Sequence, residues 1–131
     1  MRLALTTRRI LDPVHGEARD ALSEDWCMYL YANWPEIVIL PLLNSPWQVA
    51  QWATDLEIDA AILTNGNDWG ESNARDETER ALVAWCRARG RPVLGVGKAC
   101  RGGEQTRRLA EARTTTRRHP TVPPTVPPTV P

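Results

Sequence analysis

Cysteine is scarce in this chain and unpaired: Cys27, Cys86 and Cys100 form no C-x-x-C, and neither histidine stands near one of them at metal-ligand spacing. Neither a structural zinc site nor a disulfide framework is indicated. A reducing, cytoplasmic setting is expected. Long hydrophobic runs are missing as well. The N-terminal MRLALTTRRI holds an apolar run of only three or four residues before Arg8 and Arg9, too short for the core of a signal peptide or for a membrane span. No membrane partner is expected. Phenylalanine is absent, yet six tryptophans, 42% apolar residues and 24% charged residues leave a composition that folds, unlike a disordered or fibrous chain.

Net charge is also absent, but only by cancellation. Residues 1–97 carry nine arginines and fourteen acids, a charge of −5, whereas residues 98–131 carry Lys98, six arginines and two glutamates, a charge of +5. Basic segments that grip nucleic acid interleave aromatic side chains with their cations. This one has no tryptophan, tyrosine or phenylalanine, so a solvated end is expected and nucleic acid is not a partner. From Thr114 the sequence reads TTTRRHP and then TVPPTVPPTVP, a four-residue repeat. Proline at that density favours polyproline II and joins neither helix nor sheet. Residues 114–131 are therefore read as a low-complexity tail, whose use as a proline-rich ligand is possible but generic. Residues 1–113 remain as one domain, and a domain of that length buries only about two-thirds of its unfolded surface.

Within it, short apolar runs alternate with helical patterns. Arg2–Thr6 reads as a strand, followed by a polar loop with Pro13 and Gly16. Ala21, Leu22, Trp26, Leu30 and Tyr31 recur at helical spacing and predict a helix from Glu17 to Asn33. Glu36–Leu43 is a near-continuous aliphatic run, as a strand buried on both faces requires, and Asn44-Ser45-Pro46 precedes a helix over Trp47–Leu56. Asp59–Thr64 predicts a third strand, Asp76–Arg89 a helix ending at Gly90, and Val93–Val96 a fourth strand. A last helix is expected over Glu104–Arg113. The alternation implies an α/β fold, a parallel sheet with helices on both faces in three layers. Such sheets place their sites beyond the carboxyl ends of the strands, which directs attention to Asn65–Trp69 and Gly95–Gly103.

Cys100 follows a buried strand and precedes a helix, near the positive end of that helix dipole and beside Arg101. Both effects favour thiolate. A lone cysteine is also commonly a plain core or surface residue, so position leaves both readings open. Cys27 and Cys86 sit beside tryptophans within helices and are read as structural. Gly97-Lys98 is no phosphate loop, because the position six residues before the lysine is Pro92, not glycine. Arg8, Arg9 and Arg75 could hold a substrate carboxylate or phosphate near the strand ends, or be solvated surface cations.

Several segments together carry a resemblance. DAAILTNGND resembles the D-x-x-L-L-x-G-G-x-D loop of class I glutamine amidotransferases, RDETERALVAWCRARGRPVLGV their helix and nucleophile strand, and CRGGEQ their C-R-G-x-Q elbow. LTTRRI and EARDALSEDW are similar to the opening of the γ-glutamyl-γ-aminobutyrate hydrolase subgroup, whose relatives include hydrolases of γ-glutamyl-CDP-amidates. The match spans about residues 2–105. It implies a flavodoxin-like fold of the class I amidotransferase type, represented by its N-terminal part. It also implies a hydrolase of small γ-glutamyl amides, acting through a thioester on Cys100, with oxyanion donors near Gly66 and Arg101. Arg8, Arg9 and Arg75 would bind substrate. No metal or organic cofactor is implied.

Three departures stand out. Gly95-Val96 is followed by Gly97-Lys98-Ala99 before Cys100, so the thiol is displaced by three residues; Gln105 follows Cys100 by five positions, not four; and Asn65 replaces the first glycine of the loop. The family's H-x-E segment, source of its base and carboxylate, has no counterpart. His119-Pro120-Thr121 imitates only its start, and His15 is read as a loop residue. An alternative is a non-catalytic remnant or interaction module that pairs through an uncovered sheet edge, as a homo-oligomer or with a partner. The altered elbow followed by low complexity predicts a disrupted or frame-altered descendant. The coding DNA is expected to hold a second reading frame restoring G-V-C-R-G and a downstream H-x-E; finding neither in any frame excludes that origin.

Overall fold

The computed structural model describes residues 1–67 and 70–97. Cys100, Arg101, the expected helix Glu104–Arg113, His119 and the tail 114–131 lie outside the described residues. Within them the chain runs β1 (Arg2–Thr6), β2 (Arg8–Leu11), β3 (Ala18–Ala21), α1 (Glu24–Asn33), β4 (Val38–Leu42), α2 (Val49–Asp55), β5 (Ala60–Leu63), α3 (Asn73–Ala88) and β6 (Val93–Gly95). Four strands form one sheet in the order β4-β1-β5-β6, and every neighbouring pair is parallel. β1 pairs with β4 from Arg2–Val38 to Thr6–Leu42 and with β5 from Leu3–Ala60 to Leu5–Ile62. Pro41 lies in β4, an edge strand, where a missing N–H is tolerated.

The strand residues sort to two faces. Ala4, Leu42, Ala61 and Leu63 pack with Val49 and Ala53 of α2 and Leu82, Trp85 and Cys86 of α3. Leu3, Leu5, Ala60 and Ile62 pack on the other side with Leu30 of α1, joined by Ile37 and the partly buried Trp26 and Val96. The sheet is thus covered by helices on both faces, which is why its strands read as aliphatic runs instead of alternating patterns. Full burial of a side chain such as Leu5, Leu63 or Leu82 contributes roughly 1.5–3 kcal/mol, and each of these is 0% exposed. α3 begins where the Ser72 hydroxyl accepts the Arg75 N–H and ends before Gly90, whose φ of 64° closes the turn. The Trp85 indole N–H donates to the Thr54 hydroxyl at 3.0 Å, tying α3 to α2. Among the described residues no helix is long and apolar enough to cross a membrane.

One element differs from its expectation. The helix read from Glu17 starts at Glu24, and the residues before it form β3, which pairs antiparallel with β2 from Arg8–Ala21 to Leu11–Ala18. Ser23 sets the boundary, because its hydroxyl accepts the Asp25 N–H and caps α1. All four β2 residues are exposed, so the hairpin has no buried face to impose an alternating pattern. Its turn is made by Asp12, whose carboxylate accepts the Val14 and His15 amides, and by Gly16 at φ 66°. The Asp20 carboxylate straps the hairpin down by accepting from the Asn44 backbone and side chain at 3.0 and 2.7 Å.

Cys86 is fully buried in α3, and burial pushes its thiol up to about 12, outweighing the nearby Arg91 and Arg89, while Cys27 is half-buried. A thiol so held is inert. At pH 8, alkylation mapped by peptide should modify Cys27 readily and Cys86 only as the chain unfolds in urea. Equal rates in the native protein would show that α3 does not pack as described.

Candidate active site

Parallel strands deliver their following loops to one edge of the sheet. Here that edge gathers Thr6 at the end of β1 and Thr7 after it, Asn44 after β4, Thr64–Asn67 after β5 and Gly97 after β6. The two central strands are stitched together just beyond their paired registers. The Thr64 N–H donates to the Thr6 hydroxyl at 2.9 Å, and the Thr64 hydroxyl donates to the Thr6 carbonyl at 2.7 Å. The Thr6 hydroxyl donates in turn to Glu79 Oε1 at 3.0 Å. That oxygen also accepts Arg75 Nε at 3.1 Å and Nη2 at 3.0 Å, and Nη2 closes the circuit on the Thr64 carbonyl. Arg75 and Glu79, one turn apart on α3, are 2% and 3% exposed. Burial holds the Glu79 carboxyl above its ordinary value, partly opposed by the Arg75 charge and the Thr6 hydroxyl.

Gly66 lies directly over this pair. A Cβ at position 66 would fall inside van der Waals contact with Arg75 Nη1 and stand 3.0 Å from Arg8 Cβ, so a side chain there would push the guanidinium aside. Among the described residues, Arg75 Nη1 is buried there with no hydrogen-bond partner. Beside it, Gly97 adopts φ 74°, and a Cβ on it would meet Asn65 Cβ at 2.8 Å. The β5 loop and the end of β6 are therefore in contact. Asn67 extends the edge outward by clamping the β2 backbone: the Arg9 N–H donates to its Oδ1 at 2.8 Å and its Nδ2 donates to the Arg9 carbonyl at 2.9 Å.

A cleft of about 450 Å³ opens between the hairpin and the start of α3, lined by Arg9, Ile10 and Leu11 on one side and Asn67, Ser72 and Asn73 among those on the other. Glu71 and Ala74 line it as well, so the start of α3 and the exposed Arg9 face the same space. Of the residues singled out in the sequence, Gly66, Arg8 and Arg75 come together, and Arg9 joins the cleft. Arg8 and Arg9 are exposed, whereas Arg75 is turned inward onto Glu79. His15 sits exposed on the hairpin turn with Nδ1 2.6 Å from Asp12 Oδ2, a contact that, more than the adjoining amides, holds the Asp12 carboxyl below its ordinary value. Cys100 and Arg101 lie outside the described residues. Among the described residues no cluster of three or more His, Cys, Asp or Glu side chains could hold a metal ion.

Sequence reasoning overlooked Glu79, Thr6, Thr64 and Asn67. Arg75 and Glu79 carried a readable signal, opposite charges four residues apart on one helix. Nothing local marks the two threonines, which meet only because β1 and β5 are neighbours. No protein-family model matches the chain, and a comparison with curated proteins found no match.

The two halves of the buried pair are not equivalent. Glu79→Ala strands a guanidinium that cannot discharge itself and should cost roughly 3–5 kcal/mol at any pH from 5 to 8. Arg75→Met leaves a carboxyl that escapes by taking up a proton. A carboxyl raised in the folded state adds stability below its unfolded value of about 4.3 and loses it as pH climbs through the folded one. Removing Arg75 raises the folded value further, so Arg75→Met should lose stability from pH 5 to 8 more steeply than wild type, by at most about 1.4 kcal/mol per pH unit. Urea unfolding at both pH values decides it; a pH-independent loss in Arg75→Met would refute the assignment.

Proposed function

We propose that this chain is a class I glutamine amidotransferase-like hydrolase, cytoplasmic, that acts on small γ-glutamyl amides with Cys100 as its nucleophile. The observation that carries the reading is the contact between the Asn65-Gly66 loop and Gly97 at the carboxyl edge of a parallel sheet. Asn65 and Gly66 belong to a segment that carries the family resemblance, and Gly97 directly follows another, residues 75–96. Further support comes from the sheet order β4-β1-β5-β6, compatible with a flavodoxin-like fold in which the second strand of the sheet lies outside the first.

In this reading the Cys100 thiolate attacks the γ-carbonyl carbon, an S–C bond forms, and the amide C–N bond breaks as the leaving amine takes a proton. Water then hydrolyses the thioester to glutamate. The Gly66 and Arg101 amides stand as donors to the oxyanion, an interaction commonly worth about 3 kcal/mol per donor. Arg8 and Arg9 offer cationic contacts to the glutamyl carboxylate, and Arg75 acts from beneath by shaping the Gly66 loop. Two residues, Lys98 and Ala99, separate Gly97 from Cys100, and the three Cα steps span at most about 11 Å. The sequence as given holds no H-x-E segment, and a thiol nucleophile draws a large part of its activation from an adjacent base.

A second reading, an interaction module, is favoured by one feature: β6 has a single strand neighbour among the described residues, and its Leu94 is 44% exposed. An edge of that kind accepts a further strand from a partner or another copy. Glutamate release from γ-glutamyl amides, measured for wild type and Cys100→Ala with thiol alkylation against pH, separates the two. Release that disappears in the variant, with a thiol titrating well below about 8.5, supports the hydrolase. No release, an ordinary thiol and a mass that grows with concentration would reject it for the module.

A further inference from the structure

Asparagine amides are thermally labile, because the backbone nitrogen of the next residue can attack the side-chain carbonyl carbon. Two things slow that attack: a Cβ on the next residue, which crowds the nitrogen, and hydrogen bonds that hold the amide away from it. The chain has asparagines at 33, 44, 65, 67 and 73, and only Asn65 precedes a glycine.

The fold restrains the other four. Asn33 Nδ2 donates to the Tyr29 carbonyl at 2.8 Å, and Asn44 Nδ2 donates to Asp20 Oδ1 at 2.7 Å. Asn67 is held at both ends of its amide by the Arg9 backbone. Asn73 is the first residue of α3, with its backbone fixed in helical geometry. Asn65 has no such restraint. It is exposed, as is Gly66, and among the described residues neither its side-chain amide nor the Gly66 N–H makes a hydrogen bond. The close approaches in this loop fall elsewhere: Arg75 and Arg8 lie on the Cβ side of Gly66, and Gly97 lies against Cα and Cβ of Asn65.

Charge favours the attack as well. The nitrogen reacts as its anion, and nearby positive charge stabilises an anion. Two cationic side chains lie against Gly66. Arg75 turns Nη1 toward it, while Glu79 meets that guanidinium from the Nε and Nη2 side. Arg8 is the other.

We infer that Asn65-Gly66 is a self-modifying site at the carboxyl edge of the sheet. The Gly66 nitrogen attacks Asn65 Cγ, an N–C bond forms, and the bond from Cγ to Nδ2 breaks. The amide proton passes through water to Nδ2, which leaves as ammonia. Water then opens the succinimide. Opening at Cγ gives aspartate, and opening at the main-chain carbonyl gives isoaspartate, whose main chain is one carbon longer. Both products add a carboxylate to a loop that carries Arg8 and Arg75 against it, and isoaspartate also shifts Gly66 on its support. The chemistry is independent of the hydrolase reading, since it needs only the loop and water.

The test incubates the full chain at pH 8, native and unfolded in urea, and follows all five asparagines by peptide mass spectrometry, with fragmentation to separate aspartate from isoaspartate. In the native protein Asn65 should convert at least about tenfold faster than any other asparagine, a barrier lower by about 1.4 kcal/mol. Its native rate should also stay within about tenfold of its rate in urea. A native rate more than tenfold below the unfolded one, or a second asparagine converting as fast, overturns the inference. Accumulating isoaspartate should lower the thermal midpoint of the wild type, while Asn65→Gln keeps its midpoint through the same incubation. A wild-type midpoint that holds as isoaspartate accumulates overturns the shift of Gly66.

Discussion

Two opposite charges taken out of water, on Arg75 and Glu79, hold the carboxyl edge of this protein together. Desolvating such a pair costs several kcal/mol per ion, and the mutual attraction offsets that only when the remaining donors and acceptors are met. Here they largely are. Glu79 Oε1 receives the Thr6 hydroxyl and two guanidinium N–H groups, while Nη2 also reaches the Thr64 carbonyl. Because Thr6 ends β1 and Thr64 follows β5, the pair anchors α3 to the two central strands at one defined register. A purely apolar contact would leave the helix freer to slide, since the hydrophobic effect has no direction.

The rest of that edge is built outward from this anchor. Arg75 Nη1 lies under Gly66, so the β5 loop rests on a guanidinium whose position is set by Glu79. Asn67, next along the loop, clamps the backbone of β2, and Asp20 of β3 binds Asn44 beyond β4. A hairpin with almost no apolar interior is thereby held over the strand ends by side-chain hydrogen bonds to backbone. Its exposed location leaves the cleft between Arg9 and Ser72 open. The polar residues that matter are therefore concentrated where the sheet stops, and the two apolar faces behind them are left to ordinary core packing.

In the proposed hydrolase this division of labour has a chemical use. A loop that must aim an amide at a developing oxyanion needs a rigid support, since a displacement of about 1 Å can cost a hundredfold in rate. The buried pair supplies such a support beneath Gly66, and the contact between Asn65 and Gly97 brings the next strand end against the same loop.

The sequence by itself determined the parallel sheet and its helices. The run Ala60–Leu63 is apolar and buried at every position, as a strand covered on both sides requires, whereas Val38–Leu42, equally apolar, forms an edge strand that leaves Val38 and Pro41 exposed; Leu82, Trp85 and Cys86 recur at the spacing of one helical face. It also marked Gly66 and the ends of the third and fourth sheet strands as the place to look, because parallel topology sends successive loops to one edge. The hairpin was not legible, since exposed strands impose no period, and Ala21 and Leu22 extend the helical pattern of α1 backwards across the Ser23 cap. Nor could local pattern show that Arg75 faces inward, that Thr6 meets Thr64 and Glu79, or that Asn67 binds Arg9. Those contacts join residues up to 73 positions apart, and only the tertiary structure decided them, because hydrogen bonds at that separation depend on which strands become neighbours.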